Sequence, residues 1–317
     1  EYVEIAKNHA AQRAPGRRLS LGQARANKQK IDWAAYTPPT PTFMGVRAYE
    51  HYDLAELVRY IDWTPFFQTW ELTGKYPSIL EDDKVGEAAR GLFEDAQKML
   101  AKIVNEKWLT ASAAFGFFPA NAQGDDDIAV FGDKARKFPI ATLHTVRQQM
   151  ARDNNRPNLA LADFIAPAGG ADYIGGFVVT AGIGEQAHID RFKAAHDDYS
   201  AILLSALADR LAEAFAERLH ERVRREFWAY APDENLANAQ LIAESYRGIR
   251  PAPGYPAQPD HTEKGRLFKL LDGEARAGVK LTESYAMWPG SSVSGFYFSH
   301  PESRYFGTGK IEKDQVE

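Results

Sequence analysis

Apolar residues recur at steps of three and four along two long stretches of the chain. Over residues 84–105, Val85, Ala88, Ala89, Leu92, Phe93, Ala96, Met99, Leu100 and Ile103 fall on one helical face. Further on, Leu204, Leu207, Leu211, Phe215, Leu219, Val223 and Phe227 make a single seam among charged residues, which predicts a helix over about residues 189–230. Shorter helices are predicted over residues 2–14, before the Ala14-Pro15-Gly16 break, and over 53–60. Six segments have strand character instead: 111–118, 128–131, 138–144, 174–180, 293–299 and 305–311. They come unevenly and without βαβ regularity. The expected fold is therefore α+β, one large domain with a mostly antiparallel twisted sheet flanked by helices and preceded by a linker arm.

Composition narrows the function classes. Of 317 residues, 44% are hydrophobic and 26% charged, the balance of a globular protein. No apolar run reaches the roughly 18 residues of a membrane helix, and no secretory signal opens the chain, so a cytoplasmic setting is the default expectation. With no cysteine, disulfides, thiolate zinc sites and thiol nucleophiles are excluded. A net charge of −5 argues against general nucleic-acid binding. The first thirty residues differ, with seven cations against Glu1 and Glu4. Such an arm stays in water or docks on an acidic partner. The chain opens at Glu1 and reads as a piece of something longer: residues 1–30 as a linker, 31–317 as the domain.

Candidate chemistry concentrates in residues 247–264, where prolines stand at 251, 253, 256 and 259. Proline fixes φ and removes its own donor, so Ala252, Gly254 and Tyr255 are expected to offer isolated N–H groups along a stiff extended path. Such a path suits a flat polar ligand: Gly254 permits close approach, Tyr255 offers an aromatic face, and the Arg250 fork matches a carboxylate. A rigid crossing or a proline-rich partner motif would read the same way. Asp260 and Glu263 have capping-box spacing before the helical run through Leu267, Leu270 and Leu271, which puts His261 at the first helical position, facing solvent or hydrogen-bonded rather than ligating a metal. Asp62 stands where a helix ends, as a cap or as a carboxylate for an ammonium. Glu213 is turned about 200° from the apolar seam and matters only if that side lines a cleft. The Asp125-Asp126-Asp127 run reads as a solvated turn rather than a calcium loop. Gly182-Ile183-Gly184 is only a fragment of a dinucleotide fingerprint, and no catalytic triad, metalloprotease helix or phosphate-cradling loop is present. The chain looks built to hold a reactive molecule rather than to attack one.

Several strings together resemble the C-terminal activation domain of cobalamin-dependent methionine synthase: YIDWTPFF (60–67), FGFFPAN (115–121), LADFIAP (161–167), YRGIRPAPGYP (246–256), PDHTEK (259–264), LTESYAMWPG (281–290), SVSGFYFSHPESRYF (292–306) and KIEKDQVE (310–317). The resemblance covers nearly the whole chain. It implies a domain that binds S-adenosylmethionine and presents its methyl group for reductive remethylation of cob(II)alamin, a methyltransferase function. The cobalamin would reside on an adjoining domain, and a flavodoxin-type protein would supply the electron. An interaction module docking that reductase is the alternative. It further implies ligand contacts at Asp62, Arg250, Ala252, Gly254, Tyr255 and Tyr305, with Glu213 a weaker member. Arg250 would take the methionyl carboxylate and Asp62 the ammonium. Phe306 stands where the family often has tyrosine, which removes a hydroxyl but keeps a ring, and Gln258 replaces a cysteine. Relatives continue past Glu317, where a terminal helix is expected. The isolated fragment would bind ligand without full turnover.

Overall fold

The computed structural model describes residues 17–152 and 156–316, and the helix expected over residues 2–14 lies outside them. The chain begins with α1 (Leu21–Ala26), strand β1 (Gly45–Tyr52), α2 (Leu54–Leu57) with a 3-10 turn (Val58–Tyr60), α3 (Thr64–Thr69) and α4 (Gly86–Asn105). Strands β2 (Thr110–Gln123), β3 (Asp127–Phe131), β4 (Pro139–His144) and β5 (Asp172–Ile183) follow. After them come α5 (Glu185–Ala194), α6 (Asp198–Arg222), a π turn (Val223–Phe227), α7 (Asn238–Ile242), α8 (Glu263–Leu271) and α9 (Gly273–Ala277). The chain ends with the hairpin β6 (Lys280–Leu281) and β7 (Met287–Trp288), strand β8 (Ser292–Tyr297) and α10 (Lys313–Val316).

The sheet is antiparallel throughout, in the order β4-β3-β2-β5-β8, with β1 also paired to β2. Strand β2 shares one edge between two partners, β1 along its first half and β3 along its last four residues, while β5 runs along the other edge. Its side chains alternate between two cores, as a period of two requires. Ala113, Phe115 and Phe117, with Phe177 and Val179 of β5, pack under α4 and α6. Ala114, Phe118 and Ala120, with Ile174 and Val178, pack against α8 on the opposite face. A Cβ on Gly176 would come within 2.7 Å of Leu267, so a bare glycine backbone lets α8 lie directly on β5.

The helix over 84–105 forms as its periodicity predicts. The one over 189–230 does not stay continuous. The chain breaks at His196 (φ 55°), and the Asp197 carboxylate accepts from Ser200 N at 2.9 Å, starting α6 afresh. All seven residues of the predicted seam are buried. Residues 305–311 form no strand; they run beside the proline-rich segment, where Thr308 N donates to Pro256 O (3.0 Å). Strand β1 was missed because its mixed residues Arg47, Glu50 and His51 break the alternation, and pairing with β2 holds it instead.

Residues 17–30 depart from the solvated arm. Leu19 N donates to Gln149 O (2.7 Å), Ala24 is fully buried, and a Ser20/Gln23 capping box starts α1. The acidic turn departs likewise from a purely solvated one: Asp125 pairs with Lys28 (2.7 Å), while Asp126 is buried between Arg25 (2.7 Å) and Arg147 (2.6 Å). Arg147 is itself buried and also paired to Asp163 (2.7 Å), so these charges staple the arm to the domain. No helix among the described residues is long and apolar enough to cross a membrane.

Candidate functional site

Strand β8 lies at one end of the sheet order, and residues 249–251 extend the sheet beside it: Ile249 pairs with Phe298, and Phe296 N donates to Pro251 O (2.9 Å). Pro253 has no N–H to continue the ladder. The chain therefore peels away after Pro251 and opens a cavity of about 770 Å³ between this segment, β8 and the α6 face that carries Glu213. That volume lies within the usual range for a small-molecule site.

Past Pro251 the segment is not the extended path its prolines suggest. Tyr255 N donates to Ala252 O (3.2 Å), Gln258 N to Tyr255 O (2.9 Å) and Gly254 N to Gln258 O (2.7 Å). Two of the three N–H groups expected to face a ligand are thus spent inside the loop, and of the three only Ala252 N–H has no partner among the described residues. Gly254 adopts φ 96°, where a Cβ would lie 2.3 Å from the His261 ring, so glycine is needed for both conformation and space. Gln258 is buried, and its amide donates to His144 O at 2.6 Å.

Seven of the eight expected site residues share this cavity: Glu213, Arg250, Ala252, Gly254, Tyr255, Tyr305 and Phe306. Tyr255 (64% exposed) and Tyr305 (41%) stand at the surface, whereas Phe306 is buried. Asp62 is absent from the lining; its Oδ1 accepts from Thr64 N (2.9 Å) and caps α3. The contingency placed on Glu213 is met, because the far side of α6 does line a cleft. Burial pushes its carboxyl up, with Arg210 and Arg250 pulling the other way.

Arg250 is already engaged. Its Nη2 pairs with Glu217 Oε2 (2.7 Å), and its Nη1 meets the Tyr246 hydroxyl and His220 Nδ1 (3.2 Å). Its backbone N–H donates to the Tyr305 hydroxyl (3.0 Å). A guanidinium has five N–H bonds. Those contacts use three, which leaves Nε–H and one N–H of Nη2 for a ligand. Ser294 Oγ adds an unsatisfied hydroxyl on the wall, on a side chain that is almost wholly buried.

The end of the segment departs from the capping box. Helix α8 begins at Glu263, and Asp260 accepts instead from Thr262 N (2.8 Å) and its hydroxyl. His261 thus precedes the helix and lines the cavity, its Nδ1 3.0 Å from Lys264 Nζ. Burial lowers the Lys264 ammonium below its usual range. Glu263 is fully buried, accepts from His144 N (3.3 Å) and pairs with Arg266 (2.7 Å). Burial outweighs Arg266 and pushes its carboxyl up to about 7.

Sequence reasoning missed Glu217, His220 and Tyr246. Glu217 sits one helical turn after Glu213, a spacing that places both on one face and could have exposed it. Among the described residues no group of three or more His, Asp or Glu could hold a metal ion.

The profile of the family described as "Vitamin B12 dependent methionine synthase, activation domain" matches residues 53–317. A solved structure described as the MetH reactivation domain bound to AdoHcy is 54% identical, with a TM-score of 0.91 over 94% of this chain and 92% of that one.

Proposed function

The chain belongs to the activation-domain family of vitamin B12-dependent methionine synthases, and from that premise we propose that its cavity binds S-adenosylmethionine for reactivation of the cobalamin. The observation that carries this reading is the convergence of seven expected residues on one cavity, in a chain 54% identical to a domain solved with AdoHcy. The chemical inventory suits such a ligand. Two free N–H bonds of Arg250 match a carboxylate, and Ala252 N–H and the Ser294 hydroxyl are polar groups for the nucleoside. The Tyr255 and Tyr305 rings flank the opening.

A sulfonium methyl is an activated electrophile and reduced cobalt a strong nucleophile, so the chemistry itself comes from the two bound groups. The residues of this chain bind, orient and partly desolvate the donor. Glu213, without a hydrogen-bond or ion-pair partner among the described residues, is a carboxyl that burial pushes up and that a cationic ligand beside it would pull back toward its charged form. We assign Asp62 to the ligand ammonium from the family resemblance; its Oδ2 is the oxygen not used in capping α3. Residues 1–30 we take as the approach from a cobalamin-binding domain of the same protein, with a flavodoxin-type electron donor as the second partner. The isolated fragment should bind without full turnover.

Calorimetric titration of the chain with S-adenosylmethionine tests this directly. Saturable binding below millimolar concentration is expected, and absence of heat from folded protein would remove the proposal. In the same assay Asp62→Asn keeps an N-terminal cap but removes the charge. It should weaken binding by about tenfold at unchanged stability if an ammonium contact is lost. Unchanged affinity would confine Asp62 to the cap.

A further inference from the structure

Two side-chain contacts hold the ends of Arg250, the Glu217 carboxylate at 2.7 Å on Nη2 and the Tyr246 hydroxyl on Nη1. The second Nη1 proton still needs an acceptor to fix the plane of the guanidinium. That acceptor lies deeper in α6. His220 is fully buried, its ring stacked on Tyr297 (5.1 Å, 17° between planes) and edge-on to Tyr246 (5.1 Å, 85°). Its Nδ1 lies 3.2 Å from Arg250 Nη1, and its Nε2 lies 3.4 Å from the Tyr230 hydroxyl.

These contacts fix the tautomer. Arginine has only donors, so Nδ1 must supply a lone pair. A neutral ring then carries its proton on Nε2, directed at Tyr230. Burial, reinforced by Arg224 and Arg250, holds the imidazole far below its usual protonation range, which keeps that lone pair available.

We infer that His220 is a positioning residue for ligand recognition: as the neutral Nε2–H tautomer it accepts from Arg250 Nη1 and, with Glu217 on Nη2, aims the remaining Arg250 N–H bonds into the cavity. Tyr246 closes the arrangement, since its hydroxyl meets Nη1 and also donates to Glu217 Oε2 (3.4 Å). The Arg250 fork is thereby set before any ligand arrives, so little ordering cost falls on binding. This role rests on the reading in which Arg250 receives the ligand carboxylate.

The test compares S-adenosylmethionine with its decarboxylated analogue, which keeps the adenosine, sulfonium and amine and lacks only the carboxylate. Dissociation constants for both are measured by calorimetry on the full chain. His220→Leu should lose about tenfold or more in affinity for S-adenosylmethionine and stay within about twofold for the analogue. His220→Asn, whose amide oxygen can replace the Nδ1 lone pair, should recover most of the loss. Equal losses for both ligands, or none, would overturn the inference, because a general packing defect cannot single out the carboxylate. Should His220→Leu fail to fold, Tyr230→Phe takes its place: a smaller, carboxylate-selective loss supports the inference and its absence overturns it. Arg250→Gln, run alongside, judges the underlying reading separately. If that variant keeps the wild-type preference for the carboxylated ligand, the Arg250 assignment falls, whatever the His220 variants do.

Discussion

At the scale of single residues, several buried charged groups find partners that the sequence separates widely, as Arg250 does in Glu217 and Arg147 in Asp126, and burial sets how such groups titrate. Glu263 shows the effect on pH dependence. Its carboxyl titrates near 7 in the folded chain, against an ordinary value of 4.5, because burial outweighs the help of Arg266. A raised folded value means that the group's stabilising contribution is fully present below its unfolded value and is lost as pH rises through 7. The wild type should therefore lose up to about 3 kcal/mol from this group between pH 5 and pH 8. Glu263→Gln should flatten that part of the profile, as read by urea midpoints at the two pH values; an unchanged slope would contradict the assignment. His220 and Glu217 were illegible for a related reason. Periodicity marks the apolar seam of α6 and assigns its charged residues to water, but this helix is buried on more than one side. Only a second packed layer reveals which of those charges are internal.

At the scale of elements, regular patterns were readable and irregular ones were not. The strand character of β2 and β5 survives because both faces of each are buried over nearly the whole length, and the 3.6-residue period of α4 because one face is. The irregular strand β1 depends on a partner distant in sequence and no local signal announces it, whereas the break at His196 rests on the local Asp197–Ser200 cap that lies inside the predicted helix. The proline-rich segment lines the cavity but has a different shape from the one its prolines predict. Its prolines argued for extension, whereas the bonds from Gly254 and Gln258 fold residues 252–258 into consecutive turns. Gly254→Ala tests that shape. A side chain at φ 96° strains the backbone by about 1–3 kcal/mol, and the new Cβ must displace His261. Lower stability together with weaker S-adenosylmethionine binding is expected by thermal melting and calorimetry. Full retention of both would mean that the turn is not required.

At the scale of the whole molecule, one sheet separates two cores, and the cavity forms beside strand β8, where the proline-rich segment stops following the sheet. The α6 core supplies Glu213, Glu217 and His220 from one side; the α8 side supplies His261 and Lys264. The docked residues 17–30 meet the acidic turn between β2 and β3 instead, through Arg25 and Lys28. The arm's charge is thus partly spent within the chain. The most direct test of the central claim is a crystal structure of this chain with S-adenosylmethionine. The account predicts the ligand in the cavity beside residues 250–255, its carboxylate on Arg250 Nε or Nη2 and its adenosine beside Tyr255. Ligand bound instead in a different cavity, one lined by Glu185 and Trp288, or seated with Arg250 still facing only Glu217, His220 and Tyr246, would contradict it.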